Sequence, residues 1–178
     1  MARGNSSYFH YIHFIAKRQR GFTLLELVIA VSVMSILIAM VAPSFSQLIE
    51  TNKIKRLATE VEWLLVQAKS EAVMRGENVD VIINGAATTH WSLVSKTVSS
   101  SIVLGEINSS SFGNIALNSN FASSIVEFNK LNGRPNIQGR YSFNNISGNE
   151  FRIIINRMTG RIYTCSVSQA IHTYSKCG

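Results

Sequence analysis

Three patterns of hydrophobic and polar positions follow one another along the chain. From Phe22 to Val41 Glu26 is the only charged residue, and most of the others are large and apolar. As a helix this run is about 30 Å long at ~1.5 Å per residue, the thickness of a bilayer's hydrocarbon core. From Ser46 to Gly76 the core-type residues thin to Leu57, Val61, Leu64, Ala68 and Ala72, while Lys53, Lys55, Glu60, Glu62, Lys69 and Glu71 take other faces. Spacings of three and four predict an amphipathic helix, stopped at Gly76 with the cation Arg75 in its last turn. Pro43 removes one helical hydrogen bond and kinks or locally breaks the helix. A single long helix from about Thr23 to Arg75 is therefore expected.

After Gly76 the period falls to two. Strands are expected at Val79 to Ile83, His90 to Val94, Ile102 to Glu106, Ile125 to Phe128, Gly139 to Phe143, Phe151 to Ile155 and Arg161 to Val167. Met158-Thr159-Gly160 reads as a hairpin turn and Asn132-Gly133-Arg134-Pro135 as a second turn. The serine-rich stretch from Ser95 to Ser124 reads as loops and edge strands, because Val103, Leu104, Ile107, Phe112, Leu117 and Phe121 still offer core contacts. A partner-contact loop is the alternative there. No internal repeat is visible. Helix first and strands afterwards make an α+β architecture, one N-terminal helix packed on antiparallel sheet.

Composition narrows the class. The chain has 178 residues, 46% of them hydrophobic, which suits one domain with an appended segment and argues against disorder. Two cysteines are too few for a disulfide-dense miniprotein, and the lack of a second long apolar run excludes a multi-span membrane protein. The net charge of +7 is uneven: +4 in residues 1–21, balance in 22–75, −3 in 76–127 and +6 in 128–178.

Lys17, Arg18 and Arg20 stand directly before the apolar run, so the positive-inside rule keeps residues 1–21 in the cytoplasm and sends the chain after Pro43 outward. The run fits a single-pass anchor, and a cleaved secretory signal is the other ordinary reading. Neither explains Glu26, because a carboxylate inside a spanning segment costs roughly 2.5–3.5 kcal/mol on insertion scales.

Gly21-Phe22-Thr23-Leu24-Leu25-Glu26, behind Lys17-Arg18-Gln19-Arg20, resembles the class III signal of type IV pilins and pseudopilins. The resemblance implies cleavage after Gly21 by a prepilin peptidase, N-methylation of Phe22, and assembly roles for Glu26 and Pro43, which stand where that family places Glu and Pro. It divides the chain into a leader (1–21), a transmembrane and assembly helix (22–48) and a periplasmic or extracellular domain (49–178). Glu26 would neutralise the new amine of Phe22 in a low-dielectric setting, in its own or a neighbouring subunit.

The C-terminal half extends the resemblance. Phe128-Asn129-Lys130-Leu131-Asn132-Gly133-Arg134-Pro135 and Phe151 to Ile162, with its Thr159-Gly160-Arg161 turn, are similar to the type II secretion protein H and FimT-type minor pilin family. That implies a pilin-like fold, other pilins or pseudopilins as partners, the bacterial inner membrane as first location, and a type IV pilus or a type II secretion pseudopilus as destination.

Cys165 and Cys177 lie outside the cytoplasm in this topology, and closing the loop between them would contribute roughly 3 kcal/mol. The alternative, a metal site with His172, falls short of four ligands. Arg134, Arg140, Arg152, Arg157 and Arg161, with Tyr141, Tyr163 and Tyr174 nearby, suit phosphate and base contacts. Some FimT-like proteins take up DNA through a Gly-Arg-x-Arg motif. Here Gly160-Arg161-Ile162-Tyr163 replaces the second Arg by Tyr, and solvated strand ends or subunit contacts are the other reading of these arginines. No nucleotide-binding, hydrolase or zinc-protease motif occurs, so neither enzyme nor cofactor is expected. The leading reading is a structural subunit, with DNA binding for natural transformation as the alternative.

Overall fold

The computed structural model describes residues 21–113, 115–144, 148, 150–167 and 174–178, with 41–47 described by their backbone alone. Lys17, Arg18, Arg20, the rest of residues 1–20, and His172 lie outside the described residues, as does the side chain of Pro43. The chain divides into two compact units, Met1–Pro43 and Ser44–Gly178. One helix, α1 (Leu24–Arg75), begins in the first and ends in the second.

In the first unit the helix start is capped by Thr23, whose Oγ1 accepts from the Glu26 backbone N–H at 3.2 Å. Thr23-Leu24-Leu25-Glu26 has the Thr-x-x-Glu form of a capping box. Ser32 and Ser35 donate their hydroxyls back to the carbonyls of Val28 and Val31, at 2.7 and 2.8 Å, so neither hydroxyl is left without a partner among apolar neighbours. Among the described residues no helix is long and apolar enough to cross a membrane. The span expected at 22–48 includes 41–47, whose side chains lie outside the described residues.

In the second unit α1 buries Ile54, Leu57, Ala58, Val61, Leu64, Leu65, Ala68 and Ala72. Two four-stranded antiparallel sheets complete the core. The first has the order β3-β2-β1-β5, from β1 (Val79–Asn84), β2 (Ser92–Thr97), β3 (Val103–Asn108) and β5 (Ile125–Phe128). The second has the order β4-β6-β7-β8, from β4 (Asn118–Ser119), β6 (Gly139–Asn144), β7 (Glu150–Ile155) and β8 (Ile162–Ser166).

Most strands fall where period two places them. The exception is β2, which starts two residues later than expected and runs on through Ser95 and Thr97. Both are buried polar residues, and both stay in the strand because their hydroxyls are used: Ser95 Oγ donates to the Gly105 carbonyl (3.2 Å) and Thr97 Oγ1 accepts from the Ile102 N–H (2.9 Å). Val103 is 57% exposed instead of entering the core, since β3 is the outer strand and its register shifts opposite Ser95 and Lys96. Strand β4, two polar residues held by two pairings with β6, is an edge strand within the stretch read as loops and edge strands, although period two did not place it individually.

Cys165 and Cys177 are bonded, with Cα atoms 5.1 Å apart. The bond holds the C-terminal residues along the free edge of β8, where Ser166 N–H donates to Ser175 and Cys177 N–H to Ser166, each at 2.9 Å.

Candidate functional site

At the N-terminal segment Phe22 is 82% exposed and Glu26 is exposed in the first turn of α1, beside the helix's positive end. A Cβ on Gly21 would meet nothing within 4 Å, so the fold itself does not demand glycine there.

The basic residues occupy two loops built alike. Asn129-Lys130-Leu131-Asn132-Gly133-Arg134 and Asn156-Arg157-Met158-Thr159-Gly160-Arg161 share the pattern Asn, cation, apolar, Asn or Thr, Gly, Arg. In each, the Asn N–H donates to the Arg carbonyl at 3.0 Å and the Gly N–H donates to the Asn carbonyl at 2.8 Å. Each Asn side chain accepts from a backbone N–H inside its loop, Leu131 at 2.8 Å and Thr159 at 3.0 Å. Each Arg N–H is held by the residue two before it, Asn132 at 2.9 Å and Thr159 at 3.2 Å. Gly133 and Gly160 sit at φ +61° and +65°, the left-handed region where a Cβ is strained. The two loops are thus a short internal repeat, where none was expected, and residue type at all six positions carries it.

These loops lie side by side on α1. Lys69 Nζ donates to the Gly160 carbonyl at 2.8 Å, and a Cβ on Gly133 would fall 3.0 Å from Lys69 Cγ and 3.2 Å from Val73 Cγ2. A Cβ on Gly160 would come within 3.6 Å of Arg134 Cγ. Arg134 and Arg161, 27 positions apart in the chain, are therefore neighbours in space. Both are exposed, and neither meets a carboxylate among the described residues. Arg161 lies over the Tyr163 ring, 5.0 Å from its centroid.

The structure separates the other arginines. Arg157 is exposed in the second loop, and Arg140 is half-buried on β6, across Ile154 from Tyr163. Arg152 is tied to Glu150 through two bonds, Nε–Oε1 at 2.8 Å and Nη2–Oε2 at 3.2 Å, and that pairing pushes its ionisation up. Lys69, which seats the second loop, carried no sequence signal, since its partner is 91 residues away. Among the described residues no cluster of three His, Cys, Asp or Glu could hold a metal.

A family model described as the prokaryotic N-terminal methylation motif matches residues 16–42, and one described as type II transport protein GspH matches residues 57–160. No curated protein matches the chain. Of solved structures, the type IV minor pilin FimU of Pseudomonas aeruginosa (strain PAO1) is similar in two crystal forms, both at 19% identity. They cover 68% and 66% of this chain and 95% and 96% of their own, with TM-scores of 0.53 and 0.50. The minor pseudopilin EpsH from the type 2 secretion system of Vibrio cholerae aligns at 11% identity over 65% of this chain and 98% of its own, with a TM-score of 0.48. The FimU match has the same helix-on-antiparallel-sheet fold, and with the GspH model covering more than half of the residues, the chain belongs to the type II transport protein GspH family and carries a pilin-type N-terminal methylation motif.

Proposed function

We propose that the chain is a non-enzymatic minor pilin or pseudopilin subunit. A prepilin peptidase cuts after Gly21, Phe22 becomes the methylated N-terminus, and α1 anchors the protein once in the inner membrane with its C-terminal domain in the periplasm. From there its helix enters a type IV pilus or a type II secretion pseudopilus. The observation that carries this reading is the methylation motif at 16–42 running straight into a helix that ends in a GspH-family domain. Thr23 supports it by starting the helix immediately after Phe22, which leaves Glu26 one turn on, about 6 Å along the axis at ~1.5 Å per residue.

The test has two readouts on the full chain expressed with its secretion or pilus machinery. Mass analysis of the mature protein is expected to find Phe22 at the N-terminus with one added methyl. Glu26→Val is expected to be cut and inserted normally yet be missing from sheared filaments. A mature chain that retains residues 1–21, or wild-type incorporation of the variant, overturns the reading.

A second reading is favoured by the pairing of Arg134 with Arg161 and by the stacking of Arg161 on Tyr163: the two loops hold the phosphates of DNA. It predicts DNA binding whose affinity falls steeply with salt, with a smaller slope in Arg157→Gln/Arg161→Gln, and fails if no binding is seen at low salt.

A further inference from the structure

The face of α1 opposite the two loops holds an apolar groove. Glu60, Trp63 and Leu64 form one wall and Gly105, Glu106 and Ile107 of β3 the other, around a volume of about 300 Å³. That lies at the lower limit of small-molecule sites, room for side chains and not for a cofactor. Trp63 is 65% exposed, an aromatic surface of the kind that anchors protein interfaces. Gly105 keeps the wall low, since a Cβ there would meet Ser95 Oγ at 3.3 Å and Leu64 Cδ1 at 3.6 Å. Two carboxylates border the groove: Glu60, tied to Arg56 at 2.6 Å, and Glu106, exposed and without a partner among the described residues.

The two loops carry the complementary features. Leu131 is 82% and Met158 76% exposed at their tips, each flanked by cations, Lys130 and Arg134 in one loop and Arg157 and Arg161 in the other. A polyanion would use the cations and leave both tips in water. A slot that is apolar inside and acidic at its rim uses both. We propose that copies of this chain associate head to tail, with the paired loops of one copy seated in the Trp63 groove of the next.

The placement permits a chain of such contacts. Lys69, which carries the loops, is nine residues after Glu60, about 180° around the helix at ~100° per residue. Loops and groove therefore occupy opposite flanks of α1. A contact between unlike surfaces leaves one free groove and one free loop pair at the ends, so it propagates instead of closing as a symmetric dimer. At the contact itself Glu60 and Glu106 border the groove, while Lys130, Arg134, Arg157 and Arg161 lie in the loops, so the charges that meet are opposite in sign.

The inference rests on the assembly reading for its setting, but its test does not involve processing. Full-length protein in detergent, one copy per micelle, is followed by sedimentation velocity. Wild type is expected to form complexes that grow with concentration and shrink as salt rises. A groove variant, Trp63→Ala/Glu106→Lys, and a loop variant, Leu131→Ser/Met158→Ser, are each expected to stay monomeric. Mixed one to one, they are expected to form dimers and nothing larger, because only one intact loop pair meets one intact groove. Glu60→Lys/Glu106→Lys and Arg134→Glu/Arg161→Glu are each expected to stay monomeric alone, and their mixture, in which both kinds of contact again join opposite charges, is expected to grow past dimers. Because Leu131→Ser/Met158→Ser keeps every cation, it is expected to lose self-association and leave any DNA binding unchanged. Wild type that stays monomeric at every concentration, variants that still associate alone, a mixture of the groove and loop variants that stays monomeric or grows past dimers, or a charge-reversed mixture that stays monomeric overturns the proposal. Such a failure leaves the mass readout at Phe22 untouched, so it is distinguishable from failure of the pilin reading.

Discussion

Tyr141 carries the sharpest conflict between packing and polarity. Its ring is fully buried, 4.9 Å from that of Phe121, and its hydroxyl has no hydrogen-bond partner among the described residues. Gly139 leaves room for the Phe121 ring, since a Cβ there would lie 2.3 Å from Phe121 Cδ1. Burial pushes the phenol's ionisation far above its usual value of about 10. The folded state therefore holds the neutral form, and its stability falls as pH rises above about 10, where the unfolded chain ionises first. Removing the hydroxyl alone removes an unsatisfied group and keeps the ring. Tyr141→Phe is expected to match wild type or gain up to about 1 kcal/mol near neutral pH. It is also expected to flatten part of the decline above about pH 10. Urea unfolding at both pH values measures this, and a loss above about 1 kcal/mol would mean that the hydroxyl has a partner. Glu77 shows the opposite case: backbone N–H bonds, from Ser100 first and Ser99 as well, hold its carboxyl below the usual range. Its charged form thus clamps the β2–β3 turn, and the clamp weakens as pH falls.

At the scale of elements, legibility followed the strength of the periodic signal. Leu57, Val61, Leu64, Ala68 and Ala72 were readable as the inner face of a helix, and all are buried. Strands rich in Val, Ile and Phe were readable as well. Strand β2 was displaced because Ser95 and Thr97 look like loop residues until their hydroxyl partners, Gly105 and Ile102, are known. The loops show the same limit. Each Gly-Arg turn was visible separately, but their identity as two copies of one loop lies in backbone bonds from Asn129 and Asn156. Three of six residues differ between the copies, each exchanged for one of similar character, so the repeat shows by residue type and not by identity. Their adjacency was hidden further, because it depends on Lys69 and Val73 of a helix some 60 to 90 positions earlier. Gly133 is the more constrained of the two glycines, since its neighbours include the Lys69 backbone carbonyl at 3.3 Å, whereas Gly160 faces the flexible end of Lys69 at 3.4 Å.

At the scale of the molecule, one helix serves two units, and its residues divide between them. The described residues from Gly21 to Met40 are exposed. Among the described residues every buried hydrophobic one lies from Ile54 onward, inside the unit that begins at Ser44. The C-terminal domain should therefore fold without the apolar segment, though not without the second half of the helix. A fragment 49–178 keeps every described core residue, the Arg56 contact over Phe112 and the Tyr174 hydroxyl's bond to the Lys55 carbonyl. A fragment 62–178 loses Ile54, Leu57, Ala58 and Val61 from a core in which each is at most 2% exposed. Losing a buried side chain of Leu or Ile size costs about 2–5 kcal/mol, and two such losses, Ile54 and Leu57, with Val61 and Ala58 besides, rival the roughly 5–15 kcal/mol that holds a domain together. Thermal unfolding followed by circular dichroism is expected to give one cooperative transition for 49–178 and no cooperative transition for 62–178. If the shorter fragment melts as sharply as the longer one, residues 49–61 only decorate a core that the sheets form with the rest of α1.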